Sequence, residues 1–521
     1  MKQHLDDPQK SGLTQIRVVL DATFNKSACL DLESRLIGLF DADSRFSVTN
    51  RNHGITDANY FNRDLYQREF DHVFDALLEE GMLTRSIPDI VNSDLFKYSP
   101  FKALNSEQAG AIEGIIEAII AQIESSSKFP IVVQGDPGTG KTIVAIYLTK
   151  LLADIALADL DDERGSDSLF SDFFQPEFQA LFAKMRIGFV VPQKSLRETI
   201  GKRFAKTPGL SKDMVLSPFD VGASQFEYDL LIVDEAHRLG QRSNQSAGPL
   251  NAKFSEINIA LFDSDDLAIT QLDWISARSR HQILFIDSAQ NVKPGDLPLT
   301  RTVEVIDQAN SNESLFRLAS QMRVNGGEDY IEYVGQILNG TQTDRKTFGD
   351  YDLCLFDDVA EMREEIRQRN EESGLSRLVA GYAWEWVSRA KGKEHVPDIV
   401  INGTEMFWNR TPTDWINSPT SIDEVGSIHT VQGYDLNYAG VIIGNDLRFD
   451  PETQQIRFSR KDYFDKKGLE NNRMLDITYT DVEILEFVKN IYRVLMTRGI
   501  RGTYVYVCNP ELREYFKRFL S

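Results

Sequence analysis

Cysteine is scarce. The 521 residues hold three, Cys29, Cys354 and Cys508, too widely spaced for a disulfide framework or a zinc site and in keeping with a reducing, cytoplasmic setting. No apolar run reaches the roughly 18 residues a membrane helix needs, so no membrane span is expected. The opening MKQHLDDPQKSG has no apolar stretch of the kind a secretory signal requires. Basic residues are in deficit: the net charge is −22, the wrong sign for a passive nucleic-acid binder, though not for a machine gripping a strand in a local basic groove. Part of that excess lies in Asp154–Asp172, which reads as a solvated insertion. No solenoid-type repeat is visible.

What is present is decisive in one place. Residues 133–142 read VQGDPGTGKT, placing Gly135, Gly140, Lys141 and Thr142 on the pattern G-x-x-x-x-G-K-[ST]. A short apolar strand precedes it and the apolar-periodic IVAIYLTKLLADIA follows. Strand, glycine-rich loop and helix in that order make a phosphate cradle from Gly135, Asp136, Pro137, Gly138, Thr139 and Gly140. Lys141 would reach the β/γ-phosphates of ATP, and the Thr142 hydroxyl would hold Mg²⁺. A second signal, Tyr228-Asp-Leu-Leu-Ile-Val-Asp-Glu-Ala-His237, ends an apolar strand in two carboxylates. Asp234 can hold Mg²⁺ and Glu235 can act as general base on the attacking water, which points to hydrolysis.

Short apolar runs at 129–134, 186–191, 228–233, 281–286, 376–382, 439–443 and 503–508 alternate with helical patterns. This predicts an α/β protein with parallel sheets, too many strands for one small sheet, and hence two α/β domains. The expected boundaries are a small α+β N-terminal region and linker over 1–100, a first domain over 101–305 and a second over 306–521.

Asp-Glu-Ala-His beside this loop resembles superfamily 1 and 2 helicases, and the remaining motifs resemble superfamily 1, which implies two RecA-like domains. Leu104-Asn-Ser-Glu-Gln108 resembles that superfamily's adenine-reading motif, implying a nucleotide contact for Gln108. Phe189–Ser195 sits where a strand-end loop meets nucleic-acid phosphates. Phe285-Ile-Asp-Ser-Ala-Gln290 resembles the third motif, with Gln290 as γ-phosphate sensor; Ile286 replaces the usual glycine. Leu318–Arg323, Ser427–Gly433 and Tyr492–Arg498 resemble the fourth, fifth and sixth motifs. Arg323 and Arg498 are thereby candidates to neutralise transition-state charge as the cleft closes. His429, Gln432 and Gly433 would couple the nucleotide to the strand. The order of motifs over residues 101–510, with Arg377–Trp384, is most similar to a bacterial helicase-like family known as domain of unknown function 2075, related to the helicase part of Schlafen proteins. The implied partner is single-stranded nucleic acid, DNA ahead of RNA, with no membrane. Trp384, Trp386, Arg389, Phe407, Trp408 and Arg410 are the aromatic and basic residues that could stack bases and hold phosphates.

Phe24–Ile37, with Glu33, resembles the helix carrying the metal-binding glutamate of GIY-YIG nucleases, and His4 falls at that family's histidine position. The tyrosine-bearing strands are missing, so the expectation is a truncated region without that cleavage chemistry, available to a protein partner. Two alternatives stay open: an ATP-gated switch that recruits a partner without translocating, and a nuclease–helicase completed by residues upstream of Met1.

Overall fold

The computed structural model describes residues 15–46, 48, 60–101, 104–158, 170–242, 248–287, 294–320, 324, 326–411, 415–431, 434–469, 471 and 476–520. Most of the acidic insertion, together with His4, Gln290, Arg323, Gln432, Gly433 and the side chain of His429, lies outside the described residues.

The first hundred residues contribute helices α1 (Lys26–Asp43), α2 (Arg63–Glu79) and α3 (Ile87–Asn92). Apolar positions four apart, Ala28 and Leu32 on α1 and Tyr66, Phe70 and Phe74 on α2, close a small core of their own with Ile90. Among the described residues this region holds no strand, where a small α+β unit was expected; helical periodicity there is not interrupted by any alternating run.

Helix α4 (Ser106–Ser125) leads into a six-stranded parallel sheet ordered β3-β2-β4-β5-β1-β6. Its strands are β1 (Ile131–Gly135), β2 (Ile187–Val190), β3 (Val215–Leu216), β4 (Tyr228–Val233), β5 (Ser279–Ile286) and β6 (Leu315–Leu318). Helices α5 (Lys141–Ala156), α6 (Lys194–Phe204) and α7 (Leu299–Ser311) belong to the same unit. Central strands β1 and β4 are apolar throughout their buried stretches, as strands covered on both faces must be. The sheet runs past the expected boundary at 305: β6 pairs with β1 over Val132–Leu315 to Gly135–Leu318. A four-residue strand, Leu-Phe-Arg-Leu, is too short and too mixed to stand out as an apolar run.

The second sheet has seven strands, ordered β7-β15-β12-β8-β11-β10-β9: β7 (Asp352–Phe356), β8 (Ser376–Ala380), β9 (Ile399–Ile401), β10 (Thr404–Trp408), β11 (Glu424–Gly426), β12 (Leu436–Ile443) and β15 (Gly499–Val507). Only the β9–β10 edge hairpin is antiparallel. A separate hairpin joins β13 (Leu447–Asp450) to β14 (Gln455–Phe458). Helices α8 (Val359–Ser373) and α9 (Asp481–Met496) pack on this sheet. The molecule is therefore α/β with two largely parallel-sheet domains. The helical N-terminal unit touches both. Asp41 pairs with Arg203 of α6 and accepts from Ser99 at 2.7 Å. Asn92 donates to the Ser373 carbonyl at 3.3 Å, and Lys97 to the Asp435 carbonyl at 2.9 Å.

Candidate nucleotide site

Residues Asp136–Gly140 form the loop from β1 to α5. Gly138 and Gly140 adopt φ of 91° and 83°, a region side chains resist. Gly135 has no room for a side chain: a Cβ there would lie 2.6 Å from Thr139 Oγ1 and 2.8 Å from the Leu318 carbonyl. Gly140, the N-cap of α5, supplies no side-chain cap, so the first-turn N–H groups face the loop as an anion cradle. Lys141 lies beneath it, 7% exposed. Its ammonium donates to the Gly135 and Asp136 carbonyls at 2.6 and 2.8 Å and sits 3.3 Å from Asp287 Oδ2.

The strand-end carboxylates meet this loop. Thr142 Oγ1 donates to Asp234 Oδ2 at 2.8 Å, so the two residues expected to share a cation are in contact. Asp234 is fully buried, and burial first, then the Glu235 charge, pushes its carboxyl up. A buried acid beside a hydroxyl and a phosphate cradle is a donor set that fits Mg²⁺. Glu235 is held in the left-handed region at φ 52°, the strained backbone that functional sites tolerate. Burial pushes its carboxyl up, but His237, Arg238 and Lys141 outweigh that and hold it down. His237 Nδ1 accepts the Asp287 N–H at 3.2 Å. In the neutral ring the proton is then on Nε2, which faces Glu235 Oε2 at 3.1 Å. His237 and Asp287 both stand inside the motifs quoted, and the fold places His237 against Glu235 and Asp287 against Lys141.

Gln108, the residue expected to contact the nucleotide, lies against the phosphate loop. It is 2% exposed, and its amide is engaged at both ends: Oε1 accepts the Asn105 N–H at 3.2 Å and Nε2 donates to the Thr139 carbonyl at 3.0 Å. It braces the phosphate loop. Arg498 is buried just before β15, and its Nη1 donates to the Tyr434 carbonyl at 3.3 Å. The Tyr434 hydroxyl lies 3.2 Å from Thr199 Oγ1 on α6, across the domain boundary. Of the aromatic and basic set, Trp408 is core, stacked on Tyr382 at 5.6 Å, with Trp384 tilted against it at 6.3 Å. Arg389 covers Trp386 at 5.2 Å and Arg410 covers Phe407 at 3.4 Å, with both guanidinium residues exposed.

Residues 128–509 match the family model described as Schlafen group 3, DNA/RNA helicase domain. The chain belongs to that family. It is also 27% identical over 436 residues to an uncharacterized protein of Saccharomyces cerevisiae, covering 80% of this chain and 90% of the yeast protein. Among solved structures, Pif1 helicase from Candida albicans matches at 13% identity and a TM-score of 0.22, over 52% of this chain and 55% of that one. DEAD-box helicase Mss116 bound to ssRNA and UDP-BeF matches at 12% identity and a TM-score of 0.29, over 83% and 74%. The family match ends short of the helical N-terminal unit, which begins before residue 128.

Proposed function

We propose that this protein is an ATP-dependent translocase or helicase of superfamily 1 type, acting on single-stranded nucleic acid, with DNA the first choice. The observation that carries the reading is the Thr142–Asp234 contact at 2.8 Å beside Lys141, within a helicase-family domain. Lys141 and the α5 N-terminus bind the phosphates. Glu235, kept ionised by its neighbours, accepts the proton of the attacking water. Mg²⁺ held by Thr142 and Asp234 would supply charge neutralisation at the β- and γ-oxygens. Arg498 is the described candidate to act from the second domain; Arg323, Gln290, Gln432 and Gly433 lie outside the described residues and keep only the roles that their motifs imply. The exposed Arg389 and Arg410, each lying over a half-buried ring, Trp386 and Phe407, offer cations to a strand and could uncover those rings for stacking. Glu33 is exposed on α1, and we assign it no catalytic part.

A second reading, an ATP-gated switch that recruits a protein through the helical N-terminal unit, is favoured by that unit's contacts with both α/β domains. Steady-state ATP hydrolysis, alone and with single-stranded DNA, single-stranded RNA or duplex, separates the two. Stimulation by one strand type, lost in Glu235→Gln, establishes the motor and names its track. Hydrolysis indifferent to every nucleic acid overturns it in favour of the switch.

A further inference from the structure

The first turn of α4 touches two parts of the nucleotide site at once. Gln108 donates to the Thr139 carbonyl inside the phosphate loop. Its neighbour Glu107 faces the crossover to the second domain, where Oε1 accepts the Ala319 N–H and Oε2 the Ser320 N–H, each at 2.8 Å. That crossover begins where β6 ends, and Leu318, the last residue of β6, lies in register with Gly135, the first glycine of the loop. A Cβ on Gly135 would meet the Leu318 carbonyl at 2.8 Å and the Leu318 Cβ at 3.2 Å, so the two strand ends that lead into the loop and the crossover pack closely against each other.

The contacts close a ring: Gly135 to Leu318, Ala319 and Ser320 to Glu107, Gln108 to Thr139. The helix does not need Glu107 for its own start, because Asn105 and Gln108 already form a complete capping box. Burial raises the Glu107 carboxyl, yet the two backbone N–H groups and Ser320 hold it below the ordinary value, as charge-assisted bonds to a carboxylate do.

We infer that Glu107 is a positioning residue, a clamp that transmits nucleotide occupancy of the phosphate loop to the crossover and so to the angle of the second domain. Phosphate drawn into the loop shifts Thr139, and the Gln108–Glu107 turn carries the crossover with it. The inference rests on reading the loop as an ATP site, and adds the route by which that site addresses its partner domain.

The test uses the full chain and two readouts: amide hydrogen exchange of the peptide spanning 315–326 with and without a non-hydrolysable ATP analogue, and steady-state ATP hydrolysis with and without single-stranded DNA. In the wild type the analogue slows exchange of the Ala319 and Ser320 amides. In Glu107→Ala these amides exchange about tenfold faster, with or without the analogue. The same variant keeps KM for ATP within about threefold while strand-stimulated kcat falls about tenfold. Glu107→Gln, which retains one acceptor oxygen, falls between, and carries the test should the alanine variant fail to fold. Crossover exchange indifferent to nucleotide in the wild type, or strand-stimulated kcat in Glu107→Ala within about twofold of wild type, overturns the clamp. If the wild type shows the Glu107-dependent exchange response but hydrolyses no ATP, the motor reading fails and the clamp stands.

Discussion

At the scale of single residues, the site is a set of charges in narrow quarters. Lys141 and Asp234 are both almost fully buried, and each is tolerable there because polar partners surround it. Lys141→Ala removes the cation proposed to meet the phosphates, and hydrolysis should fall about a hundredfold or more; a radiolabelled-phosphate release assay reads it. Glu235→Gln keeps the shape and loses the proposed base. It should bind ATP within about threefold of wild type and lose about a hundredfold or more in kcat, seen by comparing filter binding with turnover. That Lys141, Thr142, Asp234 and Glu235 would lie together was legible because their placement depends on neighbours in sequence and on a fixed strand–loop–helix order. The meeting of His237 and Asp287 was not, because β4 and β5 had first to pair before their ends came together. Gln108 shows the same limit from the other side: its motif marked the position, and the fold gave its amide to Asn105 and Thr139.

At the scale of elements, two local devices have measurable consequences. The first is the phosphate loop, whose bend depends on glycine at 140. Gly140→Ala would place a methyl at φ 83° against the Gln108 amide, costing about 1–2 kcal/mol of strain and lowering Tm in a thermal melt. The second lies after β12, where Asp446 is fully buried and accepts the Tyr492 hydroxyl of α9 at 2.7 Å. Burial pushes its carboxyl up to about 7 from an ordinary 3.8, with the Tyr492 bond working the other way. Between those values the folded chain holds a proton the unfolded chain has released, so Asp446 makes stability fall as pH rises from about 4 to about 7. Asp446→Asn keeps the acceptor and removes the titration. Urea melts across that window should show the variant gaining on the wild type as pH rises; parallel curves would refute the assignment. Seven strands announced themselves as apolar runs, whereas β3, β6, β7, β9, β10, β11, β13 and β14 did not, being two to five residues long and often edge or mixed in polarity.

At the scale of the whole molecule, the helical N-terminal unit is bolted to both α/β domains. Its tie to the first domain is Asp41–Arg203, with Arg203 1% exposed beneath Phe101. Arg203→Ala would strand Asp41 and Ser99 without their cation, at about 3 kcal/mol by analogy with other buried pairs. Differential scanning calorimetry should show a lower Tm, and a double variant with Asp41→Asn should recover part of it. The described helices include none long and apolar enough to cross a membrane.

The sequence alone determined the class of fold and the placement of the phosphate loop beside the strand-end carboxylates. A phosphate loop, a strand-end carboxylate pair and alternating strands and helices are local patterns, set by backbone geometry and burial within a few residues. Tertiary structure alone decided which groups share a space. Leu318 beside Gly135, Glu107 on the crossover, His237 against Asp287 and Tyr434 against Thr199 join residues up to 235 positions apart. Their meeting depends on sheet order and domain packing, quantities that arise from burying every apolar face at once and are written at no single position.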